Sequence, residues 1–381
     1  MKKRLFIITG EYSGDMHAAN VVRQLKSINP DVEVEAIGGI NLEAQGVKLF
    51  SNHSKMSAMG ISPKILIDHY KLGKSLVRYL KDVYKPDLVL LIDYGAFNLS
   101  VAKFLHKAGI KIFYYIPPQV WASRKYRIKL IKKYVDKVLS IFPFERGLYA
   151  QYGIDNHYCG HPLVSQLPAK ADRNEFFAAH NLDVNKKLVA VFPGSREFEL
   201  KNLMKLFKES ADELRSKHSD LQFCFSQAPN LSDAVYEKYL GANCDITVIK
   251  GENQALLSVA DALILASGTV ALEASLYKTP MIIAYKGPEI FYWIYLLVRC
   301  IKMVSLPNII AGRIIVPELV QHKATCKNIV SHIEKLLYDS DARIEHISGL
   351  GEVKELLSAK NSSIEVAKQI DIEFLRQEGI A

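Results

Sequence analysis

No two cysteines in this 381-residue chain stand at CxxC spacing. The five that occur, Cys159, Cys224, Cys244, Cys300 and Cys326, are scattered, which argues against a disulfide framework or a zinc site and fits a reducing cytoplasm. No apolar run is long enough to cross a bilayer, and the most apolar one, Phe291 to Val298, stops at Arg299. The opening MKKRLFIITGEYSGD has a short apolar part, Leu5 to Ile8, followed at once by Glu11 and Asp15; it reads as a first β-strand and not as a secretory leader. A GxGxxG turn is missing, and the Rossmann dinucleotide fingerprint with it. No internal repeat or low-complexity segment stands out. Acidic residues are the scarcer charge: 40 Asp and Glu against 49 Lys and Arg leave a formal +9. That balance asks for an anionic partner, such as a nucleotide, nucleic acid, phospholipid or phosphorylated substrate, without choosing among them. Hydrophobic residues make up 49% and charged residues 23%, enough for sizeable cores, and the length suggests about two domains.

The most informative stretch is ADALILASGTVALEASLYKTPMIIAY, from Ala260 to Tyr285. Ala262 to Ala266 reads as a buried strand, Ser267-Gly268-Thr269 as a tight turn, Val270 to Tyr277 as a helix ended by Pro280, and Met281 to Ala284 as the next strand. The first amides of such a helix lack internal partners and its dipole adds partial positive charge, so the turn suits an anion, most simply a diphosphate. Gly268 leaves room for close approach. Glu273 lies four residues after Thr269 on the same helical face and is placed to accept hydrogen bonds from ribose hydroxyls. The plainer alternative is a βαβ turn with a capping Ser or Thr and a solvated Glu.

The rest of the chain repeats the alternation. Leu5 to Thr9 is a strand. It leads into a glycine-bearing loop, Gly10 to Asp15, in which Glu11, Ser13 and Asp15 crowd beside His17 at a position that points into a ligand crevice. Ile65 to Tyr84 is an amphipathic, basic helix, either packed on a sheet with a solvated face or lying at a membrane interface. Asp87 to Ile92 is a continuous apolar strand that ends at Asp93, a general-base candidate whose alternative is a loop-bracing carboxylate. Seven Lys or Arg fall between Arg124 and Lys137 against the single Asp136. The polar stretch Ser165 to Lys187 marks a domain boundary. Beyond it, Leu188 to Phe192 runs into Pro193-Gly194-Ser195-Arg196, a second strand-to-helix anion site with fixed charge from Arg196. Asn308 follows Pro307 where a polar loop reaches the crevice, and from Ala324 the tail reads as two or three helices. Asp339-Ser340-Asp341 follows a helix instead of a strand end and reads as a surface turn, not a metal motif. The fold expected is α/β: two doubly wound parallel-sheet domains, residues 1–168 and 186–345, and a helical tail, 346–381.

Ten segments, ITGEYSGD, AIGG, MSAMGI, IDYGAFN, IPPQVWASRKYRIK, FPFE, CGHPLV, FPGSRE, LASGTVALEA and VSLPNIIAGR, follow one another between about Leu5 and Gln321. Together they resemble the lipid-A-disaccharide synthases, glycosyltransferases of GT-B architecture, with two Rossmann-like domains and a crevice between them. The resemblance implies an inverting, metal-independent transfer from UDP-2,3-diacylglucosamine to 2,3-diacylglucosamine 1-phosphate, releasing UDP and the β-1,6-linked tetraacyl disaccharide 1-phosphate, with no cofactor. It implies that Gly194, Ser195, Arg196, Ser267, Gly268, Thr269 and Glu273 hold UDP with Asn308 nearby, and that Glu11, Ser13 and Asp15 line the acceptor side. Many members carry a second Asp before the Phe of the loop IDYGAFN; here Ala96 stands there and Gly95 replaces a Pro, so the base assignment rests on Asp93. The implied setting is the inner face of a Gram-negative inner membrane, reached through Phe291, Trp293 and Leu297 and the basic residues around them. The family includes dimers with exchanged C-terminal segments, which allows a homodimer and an exchanged or folded-back tail here. Another UDP-sugar GT-B enzyme, an epimerase or a cell-wall transferase, has no use for the greasy Phe291 to Val298. A nucleic-acid-binding protein explains the charge but leaves both anion-binding turns idle.

Overall fold

The computed structural model describes residues 2–52, 63–241, 246–266, 268–289 and 303–380, the side chains of 63–69 excepted. The chain divides into two compact units. One comprises Met1–Ser165 with Leu357–Ala381, the other Gln166–Leu356.

The first unit is built on a seven-stranded sheet in the order β3-β2-β1-β4-β5-β6-β7. Its strands are Arg4–Ile8 (β1), Glu33–Gly38 (β2), Lys48–Asn52 (β3), Leu88–Ile92 (β4), Ile112–Tyr115 (β5), Lys137–Ser140 (β6) and Asn156–Tyr158 (β7), and all pair in parallel. A parallel sheet is covered on both faces, so its central strands are apolar throughout: every residue of β4 is buried. Sequence order reverses between β1 and β4, where Leu5 pairs with Leu88 and Ile8 with Leu91. The loops after those two strands therefore emerge side by side at the carboxyl edge, the position where open α/β sheets bind ligands.

The second unit repeats the plan with six parallel strands in the order β10-β9-β8-β11-β12-β13. They are Lys187–Phe192 (β8), Leu221–Gln227 (β9), Thr247–Lys250 (β10), Ala262–Leu265 (β11), Met281–Tyr285 (β12) and Glu318–Val320 (β13). The reversal here lies between β8 and β11, with Phe192 opposite Leu265, so Pro193–Arg196 and the turn before the Val270–Tyr277 helix are neighbours. Cores form on both faces of this sheet, with Phe207, Leu214 and Phe225 on one and Phe177, Leu257 and Ile283 on the other.

Several elements differ from the sequence reading. The first helix spans Tyr12–Ile28, so Ser13 and Asp15 belong to its first turn and only Gly10 and Glu11 remain as loop. The segment Ile65 to Tyr84 is not one regular helix: Pro63–Tyr79 is α-helical and Leu80–Tyr84 is a π-turn. β3 and β13 went unread because neither has a long apolar run to mark it. The tail contains three helices, Cys326–Tyr338, Ser340–Ser358 and Ser362–Gln377. Asp339 accepts hydrogen bonds from the Asp341 and Ala342 amides, which caps the second of them. The last helix packs on Tyr12–Ile28 within the first unit and is fastened there by Tyr115 Oη to Ser362 Oγ at 2.7 Å and by Asn29 to Asp371 at 3.2 Å. Among the described residues no helix is long and apolar enough to cross a membrane.

Candidate active site

In the first unit the β1 and β4 loops bring two carboxylates together. Glu11 is the N-cap residue of the Tyr12–Ile28 helix, exposed, and accepts a hydrogen bond from Ser13 Oγ at 3.3 Å. Asp93 follows β4 directly. Asp93 and Tyr94 both have φ +47, a left-handed conformation that costs on the order of 1–3 kcal/mol per non-glycine residue and gathers at functional sites. The surroundings hold it in place. Asn98 Nδ2 donates to the Asp93 carbonyl at 2.8 Å, Tyr114 Oη donates to the same oxygen at 2.7 Å, and the Asp93 amide donates to the Tyr115 carbonyl. The Tyr94 ring lies over Gly10, where a Cβ would stand 2.1 Å from a ring carbon, so no larger residue fits there. Burial, and then the negative charge of Glu11 within hydrogen-bonding reach, push the Asp93 carboxyl up to about 6. A carboxylate raised into that range is suited to taking a proton near neutral pH. Arg127, beside Gly95, supplies positive charge to the same loop.

Two other residues expected at the site are structural. Asp15 is fully buried, and its carboxylate accepts hydrogen bonds from the Gly39 amide (2.6 Å), the Asn41 amide (2.9 Å) and Asn41 Nδ2 (2.9 Å). It braces the loop after β2 and has no face left for a ligand. Asn308 lies in the short helix Leu306–Ala311 and is also fully buried. Its amide donates to the Val316 carbonyl and to Glu318, and its carbonyl accepts from the Ile315 and Val316 amides. Both had looked like loop residues because a buried Asp or Asn and a solvent-facing one have the same sequence signature.

The second unit holds a cavity of roughly 400 Å³ lined by Gly194, Ser195, Arg196, Gly268, Thr269 and Glu273. Ser267 lies outside the described residues. Thr269 is the N-cap residue of the Val270–Tyr277 helix, and its side chain makes no capping hydrogen bond. Gly268, at φ +153, has no described atom within 4 Å of where a Cβ would stand, so space over the turn is open. Burial raises the Glu273 carboxyl above its ordinary range, with Gln254 offsetting part of the effect.

The other turn is organised differently from expectation. Glu199, one turn into the Glu197–Lys217 helix, accepts hydrogen bonds from the Ser195 amide at 2.8 Å and the Arg196 amide at 3.2 Å. These amides are therefore occupied from within, as in a capping box. Gly194, at φ +114, permits this approach: a Cβ would stand 2.3 Å from Glu199 Oε2. The Arg196 side chain is 80% exposed and pairs with Glu199 at 3.7 Å. Glu199 was legible in FPGSREFE as a Glu at the third helical position; Ser226 and Asn253, hydrogen-bonded to each other on the same wall at 2.6 Å, carried no such signal. Phe291, Trp293 and Leu297 lie outside the described residues.

A family model described as lipid-A-disaccharide synthetase matches residues 5–371. Lipid-A-disaccharide synthases of Geobacter metallireducens and Coxiella burnetii are 35% and 34% identical over 370 and 371 residues, covering 96% and 97% of this chain and 96% and 98% of theirs. Among solved structures, a putative UDP-N-acetylglucosamine 2-epimerase from Listeria monocytogenes superposes with a TM-score of 0.67 at 14% identity, over 100% of this chain and 98% of that one. The calicheamicin glycosyltransferase CalG4 does so with 0.60 at 11% identity, over 98% and 99%. Likeness at that identity speaks for the fold alone, a GT-B architecture.

Proposed function

The chain belongs to the lipid-A-disaccharide synthetase family, and from that premise we propose how its residues carry out the transfer. It is a glycosyltransferase: the donor is UDP-2,3-diacylglucosamine, the acceptor 2,3-diacylglucosamine 1-phosphate, and the products are UDP and the β-1,6-linked disaccharide 1-phosphate. The observation that carries this reading at the level of residues is the raised carboxyl of Asp93 beside Glu11 at one switch point, with an Arg-bearing cavity at the other.

Asp93 takes the proton from the acceptor hydroxyl. The freed oxygen attacks the anomeric carbon from the face opposite UDP, the new C–O bond forms as the bond to the diphosphate breaks, and the electron pair leaves with UDP. The configuration inverts. Charge on the departing diphosphate is met by Arg196 and by the Gly268–Thr269 turn that opens the Val270–Tyr277 helix, interactions that strengthen as charge develops. Glu273 accepts from the ribose hydroxyls. Glu11 keeps the Asp93 carboxyl basic enough for the task. No metal takes part, and activity should survive a chelator such as EDTA.

Both substrates carry acyl chains, so the protein must meet a lipid surface. Phe291, Trp293 and Leu297 supply apolar and aromatic area, and Lys286, Arg299, Lys302 and the run Arg124 to Lys137 add positive charge. Apolar insertion combined with a basic patch gives reversible anchoring without a spanning helix. The setting that follows is the cytoplasmic face of the inner membrane. UDP release from the donor with and without the acyl-glucosamine 1-phosphate acceptor tests the transferase reading.

A further inference from the structure

We propose that a cavity between the Pro63–Tyr79 and Gly95–Lys107 helices of the first unit receives an acyl chain of the acceptor lipid; this rests on the transferase reading above. The cavity measures roughly 630 Å³. Ala96, Phe97, Val101 and Phe104 wall it on one side, Gly73 and Val77 on the other. Tyr70, Lys74 and Ser100 complete a lining that is mostly apolar and opens to solvent. The size falls within the roughly 300–1,000 Å³ of small-molecule sites.

Gly73 gives a second, independent indication. A Cβ there would stand 3.7 Å from Val101 Cγ2 and 3.9 Å from Phe97 Cε2, ordinary contact distances. The neighbours therefore do not require glycine. Within a helix glycine costs about 1 kcal/mol relative to alanine, so the position gives up helix stability and leaves the space open. Phe104 and Tyr70 remain 49% and 67% exposed, which carries the apolar wall out to the surface.

Position selects the occupant. Tyr94 and Gly95 line one end of the cavity, and Asp93 precedes them in the chain. An acyl chain entering at that end belongs to a sugar whose hydroxyl lies at Asp93, which is the acceptor. The donor's nucleotide groups lie in the other unit.

Calorimetry with dioctanoyl-glucosamine 1-phosphate, glucosamine 1-phosphate and dioctanoyl-phosphatidylglycerol tests this on the parent, Gly73→Ala and Gly73→Leu. Gly73→Leu should weaken the dioctanoyl acceptor at least about tenfold, a loss within the range of one buried aliphatic side chain, and leave glucosamine 1-phosphate unchanged. Gly73→Ala should melt higher than the parent and weaken the acceptor by less, which keeps the test valid if the larger residue disturbs folding. The proposal is overturned if a folded Gly73→Leu binds the dioctanoyl acceptor like the parent, or if phosphatidylglycerol binds the parent as tightly as the acceptor does. UDP release run in parallel separates the two claims. A parent that releases no UDP with any acyl-glucosamine 1-phosphate sinks the transferase reading. Release by Gly73→Leu with an unaltered acceptor KM sinks the acyl site alone.

Discussion

Replacing Asp93 by Asn keeps the side chain's shape and removes its basicity, and the surroundings of Asp93 give that change two pH signatures of different origin. The carboxyl is pushed from 3.8 to about 6 by burial and then by Glu11. Turnover requires the ionised form, so the parent's rate at saturation should climb with pH through about 6 and level off above it. The variant should lose that limb and retain a flat rate lower by about 10²–10⁴, the range for a general base. Stability runs the other way. The folded state holds the Asp93 proton more tightly than the unfolded chain, so its contribution is fully present below the ordinary 3.8 and is lost as pH rises through about 6. Asn never ionises and escapes that loss. Asp93→Asn should therefore melt at or above the parent at about pH 8 and show no such advantage at about pH 4. UDP affinity should stay the same. The assay is UDP release at saturation across pH, with thermal melts at both ends. A variant that keeps the limb and turns over within a few-fold of the parent would refute the base assignment. So would weaker UDP binding with turnover intact, which would make Asp93 structural.

Glu11→Gln removes one of the two causes of the raised Asp93 carboxyl, and the acid limb of the pH–rate profile should move to lower pH; an unmoved limb would show that Glu11 does not tune Asp93. Arg196→Ala should lower turnover by roughly 100-fold or more, as for loss of one group stabilising a leaving anion, and near-parent activity in a folded protein would remove Arg196 from the site. Asn308→Ala leaves the Ile315 and Val316 amides and the Glu318 carboxylate short of partners, so it should cost about 1–3 kcal/mol in denaturant titration while the donor KM of the folded protein stays unchanged. Trp293→Ser combined with Leu297→Ser should abolish co-sedimentation with anionic vesicles at low salt; a folded double variant that binds as well as the parent would place the anchor elsewhere.

The doubly wound architecture was legible because parallel strands buried on both faces write themselves as unbroken apolar runs such as Leu88 to Ile92, each closed by a turn. The same logic placed Asp93, Gly194, Arg196 and Gly268 at strand ends. What the sequence could not separate was polar residues facing a ligand from those facing the protein. Asp15 and Asn308 sit in loop-like contexts yet spend every hydrogen bond on nearby backbone and side chains. The reverse error concerns Ser195 and Arg196, whose amides looked open to an anion and are taken by Glu199 from the next turn. Short strands such as Glu318–Val320 lack the length to show a period, and the space beside Gly73 depends on two helices meeting, which no local pattern records.

The most direct test of the central claim is UDP release by the purified full chain supplied with UDP-2,3-diacylglucosamine, with 2,3-diacylglucosamine 1-phosphate present or withheld and EDTA in both. UDP should form with the acceptor, in step with a tetraacyl disaccharide 1-phosphate of β-1,6 linkage, and should not form without it. Release of UDP independent of the acceptor, or no disaccharide from an enzyme shown to bind both substrates, would contradict the account.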